Sequence, residues 1–70
     1  MYILTQNEMA VFDFDKYGFI SSNSDGEVYI GGASDTGFLI GQYKTVERAK
    51  EVIMDIYINI GMGRYEMPLV

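Results

Sequence analysis

Two aspartates one residue apart, Asp13 and Asp15, are the first residues whose types and spacing could do chemistry. An Asp-x-Asp pair can hold a divalent metal, but Ca²⁺ requires six to eight oxygen ligands. On a strand the two carboxylates would share one face roughly 6.6–7 Å apart, and the oxygen-rich turn at residues 22–27 lacks the further acids of a calcium loop. We therefore expect no metal. Asp13 and Asp15 should lie solvated on the outer face of a strand, while Phe12 and Phe14 fill the core.

Catalytic groups are scarce in the rest of the chain. It contains no histidine and no cysteine, so a serine or threonine nucleophile would lack its usual base and a structural zinc ion its usual ligands. The other acids lie in predicted turns and on predicted outer faces, where two carboxylates do not converge in a pocket. We expect a protein that is not an enzyme and that uses no cofactor.

A basic cluster is the stronger candidate for a site. Lys44, Arg48 and Lys50 are three of only five basic residues, and they surround the predicted start of a helix. The free N–H groups and the dipole of a helix favour anions at that end. Arg48 can form a fork of hydrogen bonds to a phosphate, and Thr45 adds a hydroxyl. These residues predict a site for a phosphorylated small molecule such as a nucleotide.

Two tyrosines could complete this site. In an oligomer, Tyr43 or Tyr65 could supply a surface on which a nucleotide base stacks. The alternative is that the basic residues are solvated and pair loosely with Glu47 and Glu51, which is worth about 0.2–0.5 kcal/mol per pair. No Gly-rich phosphate loop supports the site, because the GGAS segment after a strand is followed by a turn and not by a helix.

The elements that must position these residues begin with five predicted strands. Alternating polar and apolar residues, separated by turns rich in Gly, Asn, Asp and Ser, are typical of antiparallel hairpins. The strands are expected at residues 1–5, 9–15, 18–22, 27–32 and 37–44. In the last of them, Phe38 and Ile40 should share one face, with Leu39 and Gly41 on the other.

One helix is predicted after the strands. Thr45 is a favourable N-cap, Glu47 suits the first turn, and Gly61 is a natural residue just past the end. The apolar arc expected to be buried comprises Val46, Ala49, Val52, Ile53, Ile56, Tyr57 and Ile60.

The predicted fold is of the α+β class, in a single domain spanning residues 1–70. Residues 1–44 form an antiparallel meander of four to five strands, residues 45–60 form a C-terminal amphipathic helix packed on the sheet, and residues 61–70 form a tail. A small barrel plugged by the helix is the alternative. The tail could add an edge strand, dock on a neighbour or remain loose.

Self-association is expected because a chain this short buries little surface and has no disulfide or metal to stabilise it. Met54 and Ile58 lie one helical turn apart at the edge of the buried arc, where they could contact another subunit or a partner. The predicted interface comprises Met54, Tyr57, Ile58 and Met67.

Charge and hydropathy exclude several other classes. The net charge of −5 argues against direct binding to DNA or RNA backbones. No segment has the roughly 18 apolar residues of a membrane span, and the first residues do not resemble a signal peptide. We expect a cytoplasmic protein with no membrane partner.

The two ends of the chain resemble small uncharacterised proteins encoded by phages and prophages of low-GC Gram-positive bacteria. The segments that carry the resemblance are MYILTQN and FLIGQYKTVERAKEVI, in which a strand end leads into a helix. The residues that match are Gly41, Tyr43, Lys44, Thr45, Arg48, Ala49, Lys50, Glu51 and Val52. The resemblance implies a mobile-element origin and an antiparallel sheet followed by a helix, and it supplies no catalytic residue.

The function expected from the residues and the resemblance together is non-enzymatic binding by a homo-oligomer in the cytoplasm of an infected host. The first hypothesis is a trap for a phosphorylated small molecule, such as a nucleotide signal of host defence. The alternatives are a protein–protein inhibitor of a host defence enzyme, and a structural or regulatory accessory protein of the phage.

Overall fold

Six short strands and two helices make up the chain in the computed structural model, which describes all of residues 1–70. In chain order they are β1 (Tyr2–Leu4), β2 (Val11–Asp13), α1 (Phe14–Tyr17), β3 (Ile20–Ser22), β4 (Glu27–Ile30), β5 (Phe38–Gln42), α2 (Val46–Ile58) and β6 (Arg64–Glu66). The α+β class and the five predicted strands are confirmed.

The strands form two three-stranded sheets and not one continuous meander. The first sheet has the order β2-β1-β6, with β2 antiparallel and β6 parallel to β1. The second sheet, in the order β3-β4-β5, is an antiparallel meander. The predicted four- to five-stranded meander is therefore correct only in part: β3, β4 and β5 form an antiparallel meander, but the chain leaves the first sheet after β2.

Asp13 causes this break. Its side-chain oxygen accepts a hydrogen bond from the backbone N–H of Asp15 at 3.1 Å, which caps the short helix α1. Gly18 closes α1 with a φ of 65°, and its N–H donates to the carbonyl of Phe14. The strand predicted over residues 9–15 therefore ends at Asp13. Phe12 and Phe14 still pack against the core, although both are only half-buried.

A bulge in β5 changes which of its residues are buried. Val28 pairs with Gly41 and Tyr29 with Leu39, so one step along β4 spans two steps along β5 and Ile40 is the extra residue. Ile40 and Gly41 are consequently both buried, whereas Phe38 and Leu39 are both exposed. The predicted alternation of faces along this strand is wrong at that point.

Helix α2 begins and ends close to the predicted residues. The Thr45 side chain accepts the Arg48 N–H at 3.0 Å, and Gly61 follows the helix with a φ of 96°. The helix packs on β3 and β4. Ala49, Val52 and Ile56 are its buried residues, and Val46 and Ile53 are half-buried. Two members of the predicted buried arc, Tyr57 and Ile60, are instead exposed.

The segment after α2 is an ordered part of the fold. Strand β6 extends the first sheet, and the buried Met67 donates its N–H to the carbonyl of Leu4 at 3.1 Å. The Gln6 amide then donates to the carbonyl of Leu69 at 3.0 Å. Of the three outcomes considered for the tail, an edge strand is the one observed. The prediction that Met67 lies in an interface is wrong, because its side chain is in the core.

Both sheets and α2 enclose one core. Its buried side chains are Ile3, Val28, Ile30, Ile40, Tyr43, Ala49, Val52, Ile56, Tyr65 and Met67. At the edge of that core, the rings of Phe12, Tyr17 and Phe38 lie 5.4–5.9 Å apart and join the first sheet, α1 and the second sheet.

Candidate binding surfaces

Arg48, which was predicted to bind an anion, is held by its own chain. Its Nε and Nη2 atoms donate to the main-chain oxygen of Val70 at 3.2 and 3.0 Å, and Nη1 donates to Glu51 Oε1 at 3.2 Å. The guanidinium carbon also lies 5.8 Å from the centre of the Tyr43 ring. These contacts use three of the five guanidinium N–H groups, so an anion at Arg48 would compete with the tail and with Glu51 for this side chain.

Tyr43 and Tyr65 do not present free rings on the surface. Both are buried, and their hydroxyls donate to the carbonyl of Pro68 at 2.8 Å and to Asp55 Oδ2 at 2.7 Å. Burial raises the pKa of the Tyr43 hydroxyl. Burial, and then the hydrogen bond to Asp55, raise the pKa of Tyr65 well above its usual range. The two rings pack in the core and offer no exposed platform for a nucleotide base.

Lys44 differs from Arg48 because it is exposed and forms no ion pair. It lies on a cleft of about 260 Å³ whose other lining residues are Gln42, Tyr43, Arg48, Leu69 and Val70. Thr45 stands beside this cleft, but its hydroxyl already accepts the Arg48 N–H. The predicted anion-site residues Lys44, Thr45 and Arg48 are therefore adjacent, and only Lys44 has no partner in the chain.

Asp13 and Asp15 serve local structure. Asp13 caps α1, and Asp15 lies 3.5 Å from the amino group of Met1. No group of three His, Cys, Asp or Glu side chains is arranged to hold a metal ion. The sequence pattern does not predict the capping role of Asp13, because the alternation of residues 9–15 favours a strand; the preference for aspartate at N-caps is the signal that could have indicated it.

The exposed face of α2 is charged in its first half and, apart from Asp55, apolar in its second half. Met54, Tyr57 and Ile58 are 56%, 69% and 71% exposed, and their spacing of three and four residues places them side by side. We call these three residues the α2 patch. Ile60 and Met62, also exposed, follow it at the end of the helix.

Acidic residues border the α2 patch. Glu47 and Glu51 lie on the same face in the two preceding turns, and both are exposed. Arg48 is the only basic side chain that pairs with Glu51, and no base pairs with Glu47. The surface therefore has an apolar centre and a margin that is acidic on balance, although the exposed Lys50 lies one turn before Met54, and the net charge of the chain is −5. Large apolar side chains gathered at one place on a surface are a feature of binding sites.

Comparison of the chain with protein-family models, with curated proteins and with solved structures gives no match. Neither helix is long and apolar enough to cross a membrane.

Proposed function

We propose that this chain is a non-catalytic protein-binding module and that the α2 patch is its binding surface. The observation that carries the proposal is the adjacent exposure of Met54, Tyr57 and Ile58 on a helix whose opposite side is buried in the core. A rigid helix that presents an apolar triad matches the way amphipathic helices dock into apolar grooves.

The partner that fits this surface has an apolar groove with basic groups on its margin. Glu47 and Glu51 supply the negative side of that pairing, which steers association and selects the partner more than it adds affinity. Methionine adapts to irregular surfaces, and tyrosine is enriched at interface centres. In keeping with the resemblance to phage proteins, we propose that the partner is a protein of a Gram-positive host, such as a defence enzyme.

Affinity capture from a host lysate tests this proposal. Immobilised wild-type protein should retain a host protein that the variants Met54→Ser and Ile58→Ser lose. Met9→Ser is the matched control, because Met9 is an exposed methionine far from the patch in the sequence and outside any helix. Equal retention by all four proteins, or no retained protein at all, would contradict the proposal.

A second candidate function is binding of a phosphorylated small molecule, and the unpaired Lys44 on the 260 Å³ cleft favours it. The cleft is slightly smaller than the roughly 300–1,000 Å³ of typical small-molecule sites. Because Arg48 donates to Val70, a phosphate that recruits Arg48 would compete with Val70 for its N–H groups.

Titration calorimetry with cyclic and linear nucleotides separates the two candidates. If the cleft is the site, heat of binding is observed for wild type and is lost in Lys44→Ala and Arg48→Ala, while Ile58→Ser binds normally. Absence of heat with every nucleotide would reject this second candidate and leave the α2 patch as the binding surface.

A further inference from the structure

Strand β6 is the outer strand of the first sheet, and its outward main-chain groups are unpaired. On the inner side, the carbonyl of Gly63 accepts from Tyr2 and the N–H of Met67 donates to Leu4, both at 3.1 Å. Because successive residues of a strand alternate in direction, the N–H and C=O groups of Arg64 and Glu66 point away from β1. None of these four groups forms a hydrogen bond outside the β1–β6 ladder.

The other sheet edges are less able to pair with a partner strand, or carry no charge that would select one. The edge of β5 is covered by Gln6, whose N–H donates to Ile40 at 2.8 Å and whose side-chain oxygen accepts from Gln42 at 2.7 Å. β2 ends at Asp13, which caps α1. β3 has no charged residue that would select a partner strand.

The side chains of β6 favour one partner and one register. Arg64 and Glu66 are exposed, form no ion pair and carry opposite charges two residues apart on the outer face. Charged residues on an edge usually discourage pairing. In an antiparallel pair of two β6 strands centred on Tyr65, however, Arg64 of each copy lies opposite Glu66 of the other. A shift by two residues, or a parallel alignment, would place like charges opposite each other, which is unfavourable.

We propose that a second copy of this chain pairs antiparallel along β6, about a two-fold axis beside Tyr65. Arg64 of one copy then exchanges two main-chain hydrogen bonds with Glu66 of the second copy, and the symmetric pair exchanges two more. The two first sheets join into one continuous sheet in which β6 is no longer an edge.

Apolar surface on either side of β6 adds to this contact. Tyr2 and Leu4 lie beside Arg64 and Glu66 on the outer face, where they line a cleft of about 200 Å³ with Val11. An antiparallel pair also brings the residues before β6 in one copy towards the residues after β6 in the other. Those flanks carry the exposed Met62 and Leu69.

A proline substitution tests the main-chain part of the proposal. Glu66→Pro removes an outward N–H that the monomer does not use, so the fold should persist, as circular dichroism can verify. Sedimentation at high micromolar concentration should give twice the chain mass of 7.9 kDa for wild type and the monomer mass for Glu66→Pro. A monomeric wild-type protein, a folded Glu66→Pro variant that stays dimeric, or assemblies larger than a dimer would overturn the proposal.

Charge reversal tests the register. Arg64→Glu and Glu66→Arg each place like charges opposite one another twice, so each should self-associate about tenfold or more weakly than wild type. An equimolar mixture of the two variants restores opposite charges and should form heterodimers. The double variant Arg64→Glu/Glu66→Arg should form homodimers like wild type. If the mixture associates no better than the single variants, the register is wrong.

This proposal is independent of the α2 patch, because the β6 variants leave Met54, Tyr57 and Ile58 unchanged. Partner capture that survives Glu66→Pro while dimerisation is lost would separate the two surfaces. A dimer lost instead in Ile58→Ser, and kept in Glu66→Pro, would place self-association on α2 and overturn the β6 proposal.

Discussion

At the scale of single residues, two buried tyrosine hydroxyls connect elements that are far apart in the sequence. Tyr65 links β6 to α2 through Asp55, and Tyr43 links the end of β5 to the carbonyl of Pro68. A buried hydroxyl without such a partner would be costly, so each bond fixes the position of its ring. The two tyrosines predicted to stack on a ligand therefore fix the tail and α2 to the sheets instead.

These hydroxyls should make the fold sensitive to alkaline pH. The folded-state pKa of Tyr65 is raised, whereas an unfolded tyrosine ionises near 10.0. Above about pH 10 the unfolded chain loses this proton and the folded chain retains it, so stability is full below that pH and falls as the pH rises.

Urea unfolding at pH 8 to 11 measures this effect. Tyr65→Phe should cost about 0.5–1.5 kcal/mol at pH 8 and flatten the alkaline loss. Tyr57→Phe, on an exposed ring, should keep the wild-type profile. An unchanged alkaline slope in Tyr65→Phe would contradict the role assigned to this hydroxyl.

Gly26 is a position where only glycine fits. Its φ is 78°, and a Cβ there would collide with the main-chain oxygen of Tyr43. Gly18 also has positive φ, at 65°, but a Cβ there would meet open space.

The two glycines therefore form a matched pair for thermal or urea unfolding. Gly18→Ala should cost about 1–2 kcal/mol for backbone conformation alone. Gly26→Ala should cost roughly 1–3 kcal/mol more, because the backbone must move to relieve the overlap. Equal losses would show that the close approach of Gly26 to Tyr43 is not important for stability.

At the scale of elements, α2 is the part of the fold that the sequence predicts best, because the residues that start, maintain and end the helix are close together in the sequence. The cap at Thr45, the apolar repeat and Gly61 are all read within one segment, and the helix follows them. The strands that α2 packs against, β3 and β4, come from an earlier part of the chain. The helix pattern alone therefore places Tyr57 and Ile60 in the buried arc, although both are exposed.

The Thr45 cap gives a direct test of that local control. Thr45→Ala removes the acceptor for the Arg48 N–H and should lower the free energy of unfolding by about 1 kcal/mol. Thr45→Ser keeps an acceptor and should remain close to wild type in the same denaturation experiment. If both variants lose the same amount, the methyl group and not the hydroxyl of Thr45 matters.

The parts of the fold that the sequence did not predict depend on single hydrogen bonds or on distant partners. Asp13 turns an alternating segment into a helix start through one hydrogen bond. The bulge at Ile40 inverts an otherwise correct pattern of faces. Strand β6 pairs with β1, at the other end of the chain, and nothing within Arg64–Glu66 indicates a parallel partner. Likewise, the sequence predicts that the basic residues of the candidate site are adjacent, but it does not predict that Arg48 donates to Val70 of the tail.

At the scale of the whole molecule, a small core leaves much apolar surface exposed. Thirteen large hydrophobic side chains are exposed, whereas the core has ten buried hydrophobic residues, one of which is the small Ala49. Scattered exposure is normal, but the α2 patch is contiguous, so it is the part of this surface that we assign to a partner. A standard interface buries about 800 Å² on each side, which would require the acidic margin and the end of the helix as well as the patch.

Site-specific photo-crosslinking in a Gram-positive host tests the central claim, that α2 presents a surface for another protein. A photoreactive phenylalanine analogue replaces Ile58 in one protein and Ser24, an exposed residue of the turn between β3 and β4, in the control. We predict one discrete crosslinked species, containing a host protein, from position 58 and none from position 24. Crosslinking at neither position, at both positions equally, or only to a second copy of this chain would contradict the claim.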